Sequence, residues 1–189
     1  MDSKKRYQEY REHLQKIADL KYAAAVLQWD QETYMPVKGA DFRARQVATL
    51  SELSHNLFTQ ESFKNILQDL LSADGLDAEE QKNVALSWYD YSQQEKMSGE
   101  FVRRMSEACS KSFQSWVEAK SASRFDIFRD DLATVIELKK QEADLLGYEG
   151  NPYNALLNQC LHTFYFYLCY ACISYSTFIG CCRFVEFYS

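Results

Sequence analysis

The chain has 189 residues, 47% of them hydrophobic and 25% charged, with a formal net charge of −6; this suits one globular domain or a large part of one. The acidic balance argues against a nucleic-acid backbone binder, and with no basic run longer than Lys4-Lys5-Arg6 an electrostatic membrane patch is not expected either. Only 2 prolines and 6 glycines interrupt the chain, so long helices are expected rather than many short strands.

A first helix is predicted from residue 4 to about residue 30. Tyr7, Tyr10, Leu14, Ile17, Ala18 and Ala25 recur at helical spacing, with Lys4, Glu9, Glu12, Lys16 and Asp19 on the other face. Ala23-Ala24-Ala25 has no bulk, so a neighbouring helix can approach there. The helix must stop before Pro36, because the residue preceding proline is pushed out of helical geometry, and Gly39 permits a turn.

A second helix is expected from Ala40 to about Leu57, with an apolar stripe of Phe42, Val47, Leu50, Leu53 and Leu57. Thr59 is a candidate N-cap for a short third helix carrying Phe63, Ile66, Leu67 and Leu70. Ser72-Ala73-Asp74-Gly75 reads as a loop. Asp77-Ala78-Glu79-Glu80 reads as a capping box opening a fourth helix through Val84, Leu86, Trp88 and Tyr91. After Ser98-Gly99-Glu100 a fifth helix carries Phe101, Met105, Ala108, Cys109, Phe113, Trp116 and Val117. Asp126 is expected to cap a sixth, with Phe128, Leu132, Val135, Ile136, Leu138 and Leu145; it ends at Gly147, with Lys139 and Lys140 suited to its terminal dipole. Pro152 is placed to open a further helical turn. The fold class expected is an all-α array of long antiparallel helices.

Residues 160–189 differ from residues 1–159. No Lys, Arg, Asp or Glu occurs between Cys160 and Arg183, while Cys160, Cys169, Cys172, Cys181 and Cys182 crowd among Phe and Tyr. An uncharged stretch of about 20 residues is long enough for a membrane anchor, but this one is poor in Leu, Ile and Val and lacks a basic flank. Cys169-x-x-Cys172 with Cys181-Cys182 resembles a zinc set, but adjacent cysteines make a poor tetrahedral pair. Phe, Tyr, Cys, Ser and Leu share codons beginning with U, and their sudden excess at a sharp boundary favours an out-of-frame translation without function. Cys109, alone in the body, is expected to be a buried thiol in a reducing compartment. The charged N-terminus has no apolar leader, so the expected location is cytoplasmic.

Trp29-Asp30-x-x-Thr33-x-Met35-Pro36-x-x-Gly39, followed by Arg43-x-Arg45-Gln46, resembles the N-terminal signature of the carboxypeptidase Taq family of metallopeptidases. Trp116-x-x-Ala119-Lys120, Asp126-x-Phe128, Leu146-Gly147-Tyr148 and Pro152-Tyr153-Asn154-Ala155-Leu156-Leu157 resemble the family in the same order, although it more often has Asp where this chain has Asn154. The resemblance covers about residues 5–159. It implies the first third of a larger helical enzyme, cytoplasmic and homodimeric, that removes single residues from peptide C-termini. It implies a divalent metal, zinc or cobalt, held by a His-Glu-x-x-His helix and a downstream Glu, with the motif Glu as general base.

That machinery is missing from the sequence. His13, His55 and His162 form no such pair, so no catalytic residue and no metal ligand is assigned, and His13 and His55 read as surface residues. Trp29, Asp30, Thr33 and Tyr34 are candidates for a substrate groove; the competing reading has Asp30 and Thr33 tying off the helix end while Trp29 and Tyr34 pack on neighbours. Arg43 and Arg45 read as surface ion pairs, and Trp88, Tyr89, Tyr91, Phe113 and Trp116 as core. Without the His pair this polypeptide is expected to be inactive alone. The alternative is a helical interaction module, anchored to a membrane by its tail.

Overall fold

The computed structural model describes residues 3–157, which form an all-α array; no strand occurs among them. The helices are α1 (Ser3–Thr33), α2 (Ala40–Thr59), α3 (Glu61–Leu71), α4 (Ala78–Gln94), α5 (Gly99–Ala122) and α6 (Asp126–Leu146). The chain divides at Gly147 into two compact units, so the six helices form one unit and residues 147–157 belong to the other. In that second piece, Gly147 and Gly150 take positive φ values of 81° and 78°, and Asn151 Oδ1 accepts from the Tyr153 amide to open a helical turn. The three readings of the tail fall on residues outside those described. No helix among the described residues is long and apolar enough to cross a membrane.

The main core forms where α1, α3 and α4 converge. Phe63 and Leu67 are fully buried, with Tyr10, Ile17, Phe58, Ile66, Leu70, Leu76, Val84 and Tyr91 around them. All four apolar residues predicted for α3 are buried, and each such side chain contributes on the order of 1.5–3 kcal/mol. Phe63 stacks on the His13 ring at 4.4 Å between centroids and on Tyr10 at 6.1 Å. Small buried residues, Ala44 and Ala48 beside Val47, line the buried side of α2, which contacts both α1 and α5.

Helix ends follow local chemistry. Asp77 Oδ1 accepts from the Glu79 and Glu80 amides while Glu80 Oε2 accepts from the Asp77 amide, completing the predicted capping box. Ser98 Oγ accepts from the Phe101 amide at the start of α5. Three other predictions are corrected. Thr59 does not cap α3: it is the last residue of α2, where its hydroxyl donates to the His55 carbonyl, and an extended Gln60 precedes α3 with no side-chain cap. Asp126 does not cap α6, because the Phe125 carbonyl already accepts from the Phe128 and Arg129 amides; the Asp126 carboxylate pairs with Arg124 instead. Lys139 and Lys140 both lie before the last turn of α6, where Lys139 pairs with Glu142 at 2.7 Å; the cation at the helix end is Lys96, whose Nζ donates to the Leu146 carbonyl at 2.8 Å.

Burial corrects the predicted stripes as well. Phe42 and Leu53 on α2, Val117 on α5, and Ile136 and Leu145 on α6 are exposed. Cys109 is exposed and does not line the core.

Candidate functional site

The exit of α1 is built by backbone geometry and one arginine. The Asp30 carbonyl accepts from the Tyr34 and Met35 amides at 3.0 and 2.9 Å, closing the last turn. Thr33 Oγ1 donates to the Trp29 carbonyl at 2.8 Å. The chain then passes Pro36 and makes a single 3₁₀ turn at Val37–Gly39 that leads directly into α2, with Gly39 at an ordinary helical φ of −83°. The turn therefore does not use the left-handed freedom of glycine.

Arg43, one turn into α2, reaches back across this exit. Its Nη1 lies 2.7 Å from Asp30 Oδ2 and donates to the Leu27 carbonyl at 2.6 Å. The Arg43 side chain is mostly buried, so it is a cross-helix tie and not the surface pair expected from sequence. The tie adds a second donor to the Leu27 carbonyl, which lies inside α1, and anchors the carboxylate that the sequence placed in the groove. Arg45 points elsewhere and lies 4.8 Å over the Phe42 ring.

Of the four groove candidates, Asp30 and Thr33 are thus held by the scaffold, while Trp29 and Tyr34 are presented to solvent. The two rings meet edge to face at 5.5 Å and remain 57% and 75% exposed. They pack on each other and not into the core. Next to them Val37 is 81% exposed. The structure therefore brings together a small aromatic surface with an ion pair and a hydroxyl behind it.

Two further exposed residues, Tyr22 and Val26, extend this surface up α1. Sequence reading missed them, although the signal is present. Tyr22, Val26, Trp29 and Thr33 follow steps of four, three and four, which keeps them on one line along a helix. The same line continues backward through Lys4, Gln8, Arg11 and Gln15, where it is polar.

Among the described residues, His13 and His55 do not form a metal site. His55 is buried and its Nε2 donates to the Met97 carbonyl at 2.9 Å; half-buried His13 donates from Nε2 to the Leu57 carbonyl at 2.8 Å. His13 ties α1 to α2 and His55 ties α2 to the turn between α4 and α5, which corrects their reading as surface residues. Among the described residues no three His, Cys, Asp or Glu side chains are grouped to hold a metal ion. The donor set of the described residues does not fit the divalent metal that the family resemblance implies.

The aromatic residues of α4 serve the core. Trp88 stacks on Tyr91 at 5.8 Å, and Tyr91 Oη donates to the Thr59 carbonyl. Burial raises the Tyr91 hydroxyl pKa above its ordinary value, and Lys64 opposes the rise. Lys21 is exposed as a whole residue, yet its ammonium turns in to lie 5.8 Å from the Phe58 ring. Desolvation lowers its pKa and Asp90 partly opposes the shift. The geometry of the turned-in ammonium supports that direction; the exposed stem limits its size. A polar cleft lined by Tyr7, Arg11, Asp77, Glu79, Glu80 and Asn83 opens beside α4, where the Asp77 and Glu80 carboxylates are engaged by the cap and by Lys4.

The family model "Carboxypeptidase Taq (M32) metallopeptidase" matches residues 9–163. Thermostable carboxypeptidase 1 of Pyrococcus furiosus is 34% identical over 137 residues, covering 72% of this chain and 28% of its own length. Carboxypeptidase 1 of Bacillus subtilis is 30% identical over 151 residues, covering 79% and 30%. Among solved structures, the BsuCP crystal structure superposes with a TM-score of 0.79 at 29% identity, over 82% of this chain and 31% of that one. The Pyrococcus furiosus carboxypeptidase in its Apo-Mg form gives a TM-score of 0.64 at 32% identity. The chain belongs to the carboxypeptidase Taq (M32) metallopeptidase family. It spans about 30% of the length of the curated relatives it matches.

Proposed function

We propose that this chain is the N-terminal, non-catalytic third of a metallocarboxypeptidase that releases C-terminal residues from peptides. The observation that carries the reading is the α1 exit: a family signature with its two aromatic rings turned outward, in a chain that covers 31% of a related solved structure. In the whole enzyme this turn forms a wall of the substrate groove. Trp29 and Tyr34 give the contact surface, and Asp30 and Thr33, fixed by Arg43 and by the Trp29 carbonyl, hold its shape. The divalent metal, zinc or cobalt, and the general base belong to residues outside those described. A cytoplasmic location and a homodimer are what the family resemblance implies for the whole enzyme. The Cys- and aromatic-rich stretch from Cys160 onward is an out-of-frame addition; the nucleotide sequence across codons 155–195 decides this, since a one-base shift after Gln159 should restore an acidic helical reading.

The test is to assay purified residues 1–189 on a blocked peptide with and without a chelator. No chelator-sensitive release of the C-terminal residue is expected. Release that the chelator abolishes overturns the non-catalytic reading.

A further inference from the structure

The groove wall leaves Tyr22 and Val26 without a role. They are 67% and 64% exposed, on a helix whose outward line is otherwise polar for its first four positions, Lys4, Gln8, Arg11 and Gln15. A helix that faced water along its whole length would stay polar there. On the inner side the same half of α1 buries Ala24 alone. Its own chain therefore supplies this half with little apolar contact, while its outer side carries the large side chains. Beside the Tyr22–Val26–Trp29 ridge, half-buried Ala18 and exposed Ala25, seven residues apart, leave a shallow notch of the kind into which another helix's ridge fits.

We infer that the Tyr22–Val26 face of α1 is the seat of a helix from the remaining two-thirds of the carboxypeptidase Taq fold, whose apolar side chains cover it. The inference rests on the family reading above. The solved relatives supply the occupant: BsuCP matches this chain over 31% of its length, and the chain that could lie on this face is the other part of that fold. A second copy of this chain fits less well. One aromatic ring of about 150–250 Å² and the smaller Val26 fall well short of the roughly 800 Å² per partner that a stable dimer buries.

The test places one charge in two contexts. Val26→Glu places a better helix former at an exposed position, so in the full 189-residue chain the melting temperature should not fall and the sedimentation coefficient should not change. The same substitution is then made in a chimaera, BsuCP with its matching segment replaced by residues 9–157 of this chain. There the melting temperature should fall by several degrees, and chelator-sensitive peptidase activity by about tenfold or more, because an unpaired carboxylate is buried. Should the chimaera fail to fold, a glutamate at the BsuCP position that superposes on Val26 gives the same reading in a natural full-length enzyme. Neutrality in the complete enzyme overturns the inference, because the face is then solvent. Destabilisation of the isolated chain, or its conversion from dimer to monomer, also overturns it, because the occupant is then this chain itself. A stable but inactive unsubstituted chimaera counts against the proposed function alone, since the thermal comparison still reads the seat.

Discussion

The two halves of α1 are one continuous helix and two different surfaces. From Ser3 to Leu20 its inner face carries Tyr10 and Ile17 into the core with Tyr7 and Leu14 beside them, and its outer face is polar. From Lys21 to Thr33 the inner face buries only Ala24, and the outer face carries Tyr22, Val26 and Trp29. The apolar direction turns by about a third of a circle round the axis, so no single stripe runs the length of the helix. The first half is held by its own chain through packing. The second is held by directional ties, Arg43 to Asp30 and Leu27 and, farther along, Ser110 to Gln31 at 2.6 Å. Exposed apolar residues on a helix that is otherwise well tied mark a surface made for a partner.

The largest effect should come from the packed half. Phe63→Ala removes the ring against which Tyr10, His13 and Phe58 lie, and should cost about 3–5 kcal/mol in urea unfolding. A loss below about 1 kcal/mol would mean that packing does not hold the first half. Next, Arg43→Ala removes the cation from the Asp30 carboxylate and the cross-helix donor to the Leu27 carbonyl, and should cost about 1–2 kcal/mol. Cleavage by a dilute protease should then concentrate at residues 27–39 and spare residues 3–20; uniform cleavage would erase the distinction between the halves.

The smallest effect concerns pH. Burial raises the Tyr10 hydroxyl pKa above its ordinary 10.0, and the hydrogen bond with Ser87 at 2.7 Å opposes the rise. A group whose folded value lies above its unfolded value gives stability that is fully present below the unfolded value and lost as pH rises through the folded one. Tyr10→Phe should therefore flatten the fall in urea midpoint above about pH 10 relative to the parent chain. An unchanged slope would place the alkaline loss elsewhere, for example at Tyr91, which shifts in the same direction.

Much of this was legible in the residues. Scarce proline and glycine foretold the helices, Asp77 with Glu80 foretold a cap, and the spacing of Phe63, Ile66, Leu67 and Leu70 foretold the face of α3. These signals are local. The burial of His55 was hidden because its partner, the Met97 carbonyl, is 42 residues away and belongs to the backbone, which a side-chain pattern does not record. The Arg43 tie was hidden for the same reason. Asp30 and Thr33 sit at the helix end, as one of the two sequence readings has it, but the exposure of Trp29 and Tyr34 could not be read, because an aromatic residue at helical spacing looks the same whether its partner is present or not. The change of direction in α1 was masked by Ala18 and Ala25, which fit a single stripe as well as they fit two.

The position of α2 has one more consequence, for the order in which the chain comes apart. It touches α1, α3, α4 and α5, offers its Leu57 carbonyl to His13 and sends His55 to the Met97 carbonyl. Fraying from either end of the six-helix unit meets α2 before the array is divided. Loss of α1 leaves it clasped by α5, and loss of α6 leaves it clasped by α1. Residues 40–59 therefore act as a keystone, the segment whose release coincides with collapse of the whole arch.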